Sequence, residues 1–559
     1  MRLRTQVRLA PFIILVTALP AAAQTTADPR IDSLFARAVF PDSTGCAVGV
    51  VRDGRLVYAR GYGTADLEHG VPVTAETPFH LGSISKQFTA MAVLMLEQEG
   101  RLSLDDDVRR YVPEVPDFGT PITIRHLLHH TSGLRDLWDL LGFSGRRTDD
   151  VVREYDILRL LSRQRALNFR PGDEHLYNNT GYILLGVIVK RVSGKPLPEL
   201  ARERIFAPLG MTSTRFLDDH TTLVPGRATG YARRRDGLRI AMPAYDVVGS
   251  GGAVSTVADL ARWARNFDEM AVGGPAVIAR MREPGRLNGG SPIAYGGGIR
   301  LLRHRGVPME EHNGVDPGYF ANLVRFPDQR LAVATLCNGH TIDAIAVTRA
   351  IAEGYLPAEA AGTPASAPAA EPEVVLAPAQ VARFAGTYHN PSNDLVRMVV
   401  VRGGELFYVF GPGNEARLAP LSPTRFLLTG RPTRVEFVTR PGSARPEMVV
   451  TVAGSPPGRY VPVEPAEGLP ARLSEYPGVY DSPEIGSTFL IGELEGDLHW
   501  RLEGVGPDEF SITLPARFRD NFGEGGVSLQ FVRDGAGRVT ALLLTTERAR
   551  RLRFDRRAQ

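Results

Sequence analysis

At 559 residues, 43% hydrophobic and 23% charged, the chain holds enough apolar material for two or three domains with their own cores, which excludes a disordered or fibrous protein. Its formal charge of +3 falls to about 0 without the three arginines of residues 1–23, which argues against a nucleic-acid footprint. Two cysteines, Cys46 and Cys337, are too few for a metal cluster.

Residues 1–23 read as an export signal: Arg2, Arg4 and Arg8 precede an apolar run from Pro11 to Leu19, and Ala21 to Ala23 offer a small-residue cleavage site. The run is too short to span a bilayer of about 30 Å, and no later stretch approaches about 18 apolar residues, so no stable membrane span is expected. The expected location is periplasmic or secreted, where a bridge between Cys46 and Cys337 is an option beside two buried thiols.

Residues 47–62 alternate as a hairpin that turns at Asp53-Gly54. Helical patterns follow over 83–99, 122–130 and 182–192, and strand patterns return over roughly 296–338. A hairpin first, helices between and strands last predict an α+β domain over 24–356, with one antiparallel sheet drawn from both chain ends and flanked by helices. A Pro/Ala-rich stretch, 357–379, predicts an extended linker. Beyond it "FAGTYHNPSN" (384–393) matches "YPGVYDSPEI" (476–485), and Gly404 and Leu406 recur as Gly496 and Leu498 at the same offset of 92. Further on, Pro423 and Phe426 correspond to Pro507 and Phe510, at an offset of 84. The repeat predicts two small all-β barrel modules, 380–466 and 467–559.

One lysine is out of place. Of 65 basic residues only Lys86, Lys190 and Lys195 are lysines, and Lys86 stands three residues after Ser83 at the mouth of an apolar helix. A helix cap favours Glu or Gln there, and the helix dipole disfavours a cation in the first turn. Ser83 reads either as an N-cap or as a nucleophile whose proton Lys86 accepts. Arginine cannot take the second role, because guanidinium does not deprotonate in proteins. Two further constellations accompany the pair: Tyr177-x-Asn179 in a polar turn before an apolar helix, and His312-x-Gly314 at the start of a strand.

With Ser-x-x-Lys, Tyr-x-Asn and His-x-Gly in this order, residues 31–355 resemble the serine β-lactamase and penicillin-binding protein superfamily in its class C-like branch. The phrases "IRHLLHHTSGL", "YNNTGYILLG" and "GGAVSTVADLARWA" are similar to that family too, and the two appended modules resemble the D-aminopeptidase group, which carries histidine in the third motif. The resemblance implies that Ser83 forms an acyl-enzyme, that Lys86 and Tyr177 share the general-base role, and that Asn179 orients Lys86 and the substrate amide. It also implies an oxyanion hole from the backbone NH groups of Ser83 and Val315, and no cofactor or metal.

Histidine at 312 is mostly neutral near pH 7, which removes the fixed cation that a lysine would offer a substrate carboxylate. The expectation is therefore a small peptide-like amide or ester read from its amino end, most of all a D-aminopeptidase-type substrate. An esterase, a β-lactamase, a D-Ala-D-Ala carboxypeptidase and a non-turnover penicillin-binding or sensing protein are the alternatives. Acidic residues of the loop 518–526 are expected to meet a substrate ammonium. His126, His129 and His130 have helical spacing that suits a metal but no evident fourth ligand. A homodimer is compatible with the chain and not indicated by it.

Overall fold

The computed structural model describes residues 27–36, 43–147, 149–234, 236–357, 373–411, 414–429, 433–452, 457–464, 473–503, 512–514, 516–518, 520–523 and 526–558. The expected signal, 1–23, lies outside them, as do 358–372 of the expected linker and the repeat positions Pro507 and Phe510.

The first domain is framed by α1 (Pro29–Phe35), β1 (Cys46–Arg52), β2 (Arg55–Tyr62), α2 (Lys86–Gln98), α3 (Asn179–Ser193), α4 (Val257–Glu269), β3 (Arg300–His304), β4 (Val307–Asp316), β5 (Tyr319–Phe326), β6 (Leu331–Cys337) and α5 (Ala344–Glu353). Six strands form one sheet in the order β3-β4-β5-β6-β1-β2, every neighbouring pair antiparallel. The hairpin closes through Asp53 and Gly54, both at positive φ (50° and 73°), the backbone that a tight two-residue hairpin turn requires. β1 and β6 are almost wholly buried because both sheet faces are covered. On one face Val48, Val50, Val324 and Val333 pack on Ile31 and Phe35 of α1 and Ile351 of α5. On the other, Ala47, Leu323 and Leu336 meet the helical core around Phe88, Tyr182, Leu260 and Trp263. Cys46 and Cys337 face each other across β1 and β6 and form a disulfide that spans 291 residues of sequence.

The tail folds as two β units. Eight strands between Gly386 and Val463 close into an antiparallel barrel. Nine strands between Gly478 and Arg556 form a second antiparallel sheet, in which the last strand lies beside the first and the two edges, Ile512–Leu514 and Ala516–Phe518, are almost consecutive in sequence, so the sheet is rolled nearly shut. The repeat is visible in the side chains: Tyr388 donates to the Phe384 carbonyl and Tyr480 to the Tyr476 carbonyl, with Arg445 and Arg556 over the respective rings.

The second barrel shares a core with the first domain, since Leu137, Leu140, Ile157 and Ile183 pack among Tyr480, Phe489 and Trp500. The turn between its strands β7 (Val539–Thr545) and β8 (Leu552–Arg556) is threaded into polar contacts. The Arg548 carbonyl accepts from the Asp136 and Asn168 amides at 3.0 and 2.8 Å, and the Arg550 amide donates to Asn168 at 2.8 Å. Arg135, almost fully buried, pairs with Glu484 at 2.6 Å and donates to the Arg550 carbonyl at 3.0 Å. Among the described residues no helix is long and apolar enough to cross a membrane.

Candidate active site

Ser83 sits in a single 3-10 turn, Gly82–Ser85, that feeds α2. It caps nothing: neither the turn nor the helix has a side-chain cap, which removes the N-cap reading. The turn is pressed against β4. A Cβ at Gly314 would lie 1.8 Å from the Leu81 carbonyl oxygen, and one at Gly82, whose φ is 50°, would lie 2.5 Å from the Val315 nitrogen. Only glycine at both places lets the turn and strand approach closely enough to set the Ser83 and Val315 NH groups side by side.

Lys86 is fully buried. Its ammonium donates to Ser83 Oγ at 3.0 Å, Asn179 Oδ1 at 2.9 Å and the Ser250 carbonyl at 2.7 Å, and it lies 4.9 Å from the centre of the Tyr177 ring. Burial brings it down to about 7, opposed by the Asp136 and Asp316 carboxylates and assisted by the Arg548 and Arg300 guanidiniums. When neutral, the amine keeps two protons for the Asn179 and Ser250 oxygens and turns its lone pair on Ser83 Oγ.

Asn179 opens α3 and is held by Asp136, whose Oδ2 accepts from its backbone NH at 2.7 Å and its side-chain amide at 3.0 Å. That double contact fixes which end of the amide faces Lys86. Asn178 before it caps the helix by accepting from the Gly181 amide at 2.8 Å. The Tyr177 hydroxyl faces Ser83 without a hydrogen bond of standard geometry, and burial pushes the phenol up to about 12. Lys86 and Tyr177 are thus unequal as bases: only the lysine reaches neutral pH.

His312 on β4 is buried, its Nδ1 against the Asn313 carbonyl at 2.7 Å and its Nε2 3.0 Å from the Tyr295 hydroxyl. Nδ1 carries the proton and Nε2 accepts from Tyr295. Burial first, then Arg300 and Lys86, hold this imidazole well below its ordinary value. It supplies no cation, in line with the expectation.

A cavity of about 420 Å³ opens over Ser83, lined among others by Tyr177, Tyr245, Arg300, His312, Asp316 and Arg548. Ser83, Lys86, Tyr177, Asn179, His312, Gly314 and Val315 all converge here. The sequence reading missed Asp136, Tyr245, Asp316, Arg300 and Arg548. Asp316 alone carried a signal, an acid two residues after Gly314; Asp136 and the two arginines follow no spacing rule. Asp316 accepts a short hydrogen bond from Tyr245 through Oδ1, while its buried Oδ2 has no partner and lies 3.8 Å from His80 Nδ1. Burial raises this carboxyl to about 6 against the pull of Tyr245 and Lys86, and burial lowers His80 to about 3, so the imidazole opposite it is neutral.

One expectation needs correction, and another lies partly outside the described residues. In the loop 518–526, Asp520 accepts from Tyr476 at 2.7 Å and pairs with Arg533 at 2.7 Å, whereas Glu524 is outside the described residues. The second barrel reaches the cavity with a cation, Arg548, so the absence of charge on His312 does not leave the cavity without one. The three histidines serve local structure. His126 accepts from the Thr123 amide, His129 is buried against Gly285, and His130 accepts from the Asn178 amide beside the Tyr177 ring.

The Beta-lactamase family profile matches residues 31–356, the span that holds all three motifs. The chain belongs to the beta-lactamase family. Within it, the chain is 30% identical to a D-aminopeptidase of Cereibacter sphaeroides over 527 residues, 92% of this chain and 96% of that protein. A D-aminopeptidase of Gluconobacter oxydans is 27% identical over 552 residues, 95% and 98% of the two chains. Among solved structures, the octameric penicillin-binding protein homologue from Pyrococcus abyssi aligns with a TM-score of 0.52 at 25% identity, over 77% of this chain and 98% of its own. This member of the family is a serine hydrolase of the peptidase and esterase type.

Proposed function

We propose that the protein is an exported D-aminopeptidase-type hydrolase that cleaves the amide after a free amino-terminal residue through an acyl-enzyme on Ser83. The observation that carries the reaction is the buried Lys86, three hydrogen bonds deep and brought down to about 7, with Ser83 as one of its partners. Neutral Lys86 takes the Ser83 proton as Oγ bonds to the carbonyl carbon, and the charge that develops on the carbonyl oxygen meets the NH groups of Ser83 and Val315. The proton then passes by way of the Tyr177 hydroxyl to the leaving nitrogen as the C–N bond breaks. Water attacks the ester by the reverse proton path and frees Ser83.

The amino-end preference rests on Asp316. Its carboxylate lines the cavity over Ser83, with Oδ1 held by Tyr245 beside Gly251, where a negative charge suits a substrate ammonium. Long similarity to D-aminopeptidases supports the same reading. The disulfide and the basic, apolar start of the chain support export.

The test is a panel of D- and L-aminoacyl anilides, their N-acetylated forms and a chromogenic cephalosporin. The expected result is turnover of the D-aminoacyl anilides, a loss of at least about 100-fold on N-acetylation, and a matching loss on removing the Asp316 carboxylate. Fast cephalosporin turnover with no amide cleavage would overturn the proposal.

A further inference from the structure

Four arginines line the cavity, and they are not alike. Arg146 and Arg147 are paired with Asp156 and Asp149 at 3.3 and 2.9 Å. Arg300 and Arg548 have no carboxylate within ion-pair distance among the described residues, although both are half-buried. Their guanidinium carbons lie 6.0 and 5.5 Å from the centre of one ring, that of Tyr177. They come from unrelated parts of the chain: Arg300 begins β3, next to the strand that carries His312, and Arg548 lies in the β7–β8 turn of the second barrel. Two unpaired guanidiniums in a partly dry cleft repel each other and Lys86, a cost that an anion between them would relieve.

We infer that Arg300 and Arg548 form a clamp for a carboxylate on the leaving group, so that the substrate is a free, zwitterionic short peptide and the second barrel contributes a specificity-determining residue. The inference rests on the hydrolytic reading given above. Its geometry follows from Tyr177. The nitrogen expelled from the tetrahedral intermediate must be near the Tyr177 hydroxyl, and in a dipeptide the α-carboxylate is two bonds from that nitrogen, beside the face of the same ring. Asp316 lines the same cavity, beside Tyr245 and Gly251. An ammonium at Asp316 and a carboxylate at the two arginines are the two ends of a free dipeptide, whose extended length is about 7 Å. Guanidinium also fits carboxylate in bidentate fashion, which a neutral terminal amide cannot reproduce. Turns of the second barrel that meet the first domain through Asp136 and Asn168 hold Arg548 in place.

The test compares D-alanyl-glycine with D-alanyl-glycinamide as substrates, and as inhibitors of aryl-ester turnover, in the full-length protein. The expected preference for the free acid is at least about 30-fold in kcat/KM, falling as ionic strength rises. In Arg548→Ala and in Arg300→Ala the acid-to-amide ratio is expected to fall below about 3, and Arg548→Lys to recover part of it. The same ratio read as inhibition of ester turnover is expected to fall in parallel. Equal use of acid and amide by the parent protein, or an unchanged ratio in both alanine variants, would overturn the clamp. Ser83→Ala separates this from the reaction itself: serine-dependent turnover with no acid preference sinks the clamp alone, whereas turnover that survives without Ser83 sinks the hydrolytic reading. If neither peptide is cleaved although the ester is, the inhibition ratio still decides the clamp.

Discussion

Lys86 is the residue on which the chemistry turns, and its charge state gives the account its pH dependence. Below about 7 the ammonium has all three protons engaged and no lone pair for Ser83, so kcat/KM is expected to rise with pH through that value. Asp316 and Asp136 hold the lysine up, so Asp316→Asn is expected to move this acid limb to lower pH while weakening the binding of amino-terminal substrates. A limb that stays in place or moves upward would contradict the assignment. The stability sign is separate: an unfolded lysine titrates at its ordinary value of 10.5, so burial of Lys86 destabilises the fold below about 7 and the penalty fades as pH rises from there to 10.5. Lys86→Arg is expected to cost as much activity as Lys86→Ala, about 100- to 10,000-fold, in initial rates on a D-aminoacyl anilide. Much of this scale was legible in the sequence. A lysine in an arginine-rich chain, three residues from a serine, signals proton transfer. What escaped the reading was every partner that tunes it, because Asp136, Arg300 and Arg548 are brought in by tertiary contact alone.

At the scale of elements, the site is the meeting of one helix-leading turn with one strand. Gly82 and Gly314 set that approach, and a methyl group on either collides with backbone rather than with a side chain that can swing away. Gly82→Ala is expected to lower kcat by about 100- to 1,000-fold, the usual loss when an oxyanion donor is displaced, with a smaller change in KM. A rate within threefold of the parent would show that the two NH groups are not used. Strand and helix placement was readable from alternation and spacing: the 47–62 hairpin and the 182–192 helix both appear, the latter extended to Asn179–Ser193. The helix expected over 83–99 begins at Lys86 behind a 3-10 turn, and of the two readings left open for Ser83 the cap is the one that falls. Strand β4 instead takes the turn's close contacts and leaves the Ser83 hydroxyl to Lys86.

Over the whole molecule, two long-range ties matter. The Cys46–Cys337 bridge joins the first and last thirds of the hydrolase domain, and replacing both cysteines by serine is expected to lower stability by about 2–5 kcal/mol in denaturant titration. Alternation brought both cysteines to strand ends but left the pairing open, since strand order is not written in either strand. The second tie is the buried Arg135–Glu484 pair between the domain and the second barrel. Glu484→Gln leaves a guanidinium in a dry interface, so a loss of about 3–5 kcal/mol is expected, together with a reduced acid-to-amide preference as the Arg548 turn loosens. Unchanged stability would mean that the barrel docks by other means. The internal repeat revealed two β modules in the sequence, yet a repeat is symmetric, and among the described residues one copy alone reaches the cleft. Which one does so depends on a turn at 546–551 that the repeat does not mark.

The most direct test of the central claim is rapid-quench mass spectrometry of the intact protein mixed with a D-aminoacyl aryl ester, followed by peptide mapping. The account predicts a transient mass gain equal to the acyl group on the peptide that contains Ser83, absent in Ser83→Ala and accumulating in Lys86→Arg only as slowly as its turnover allows. An acyl group mapped to another residue, or full turnover by Ser83→Ala, would contradict it.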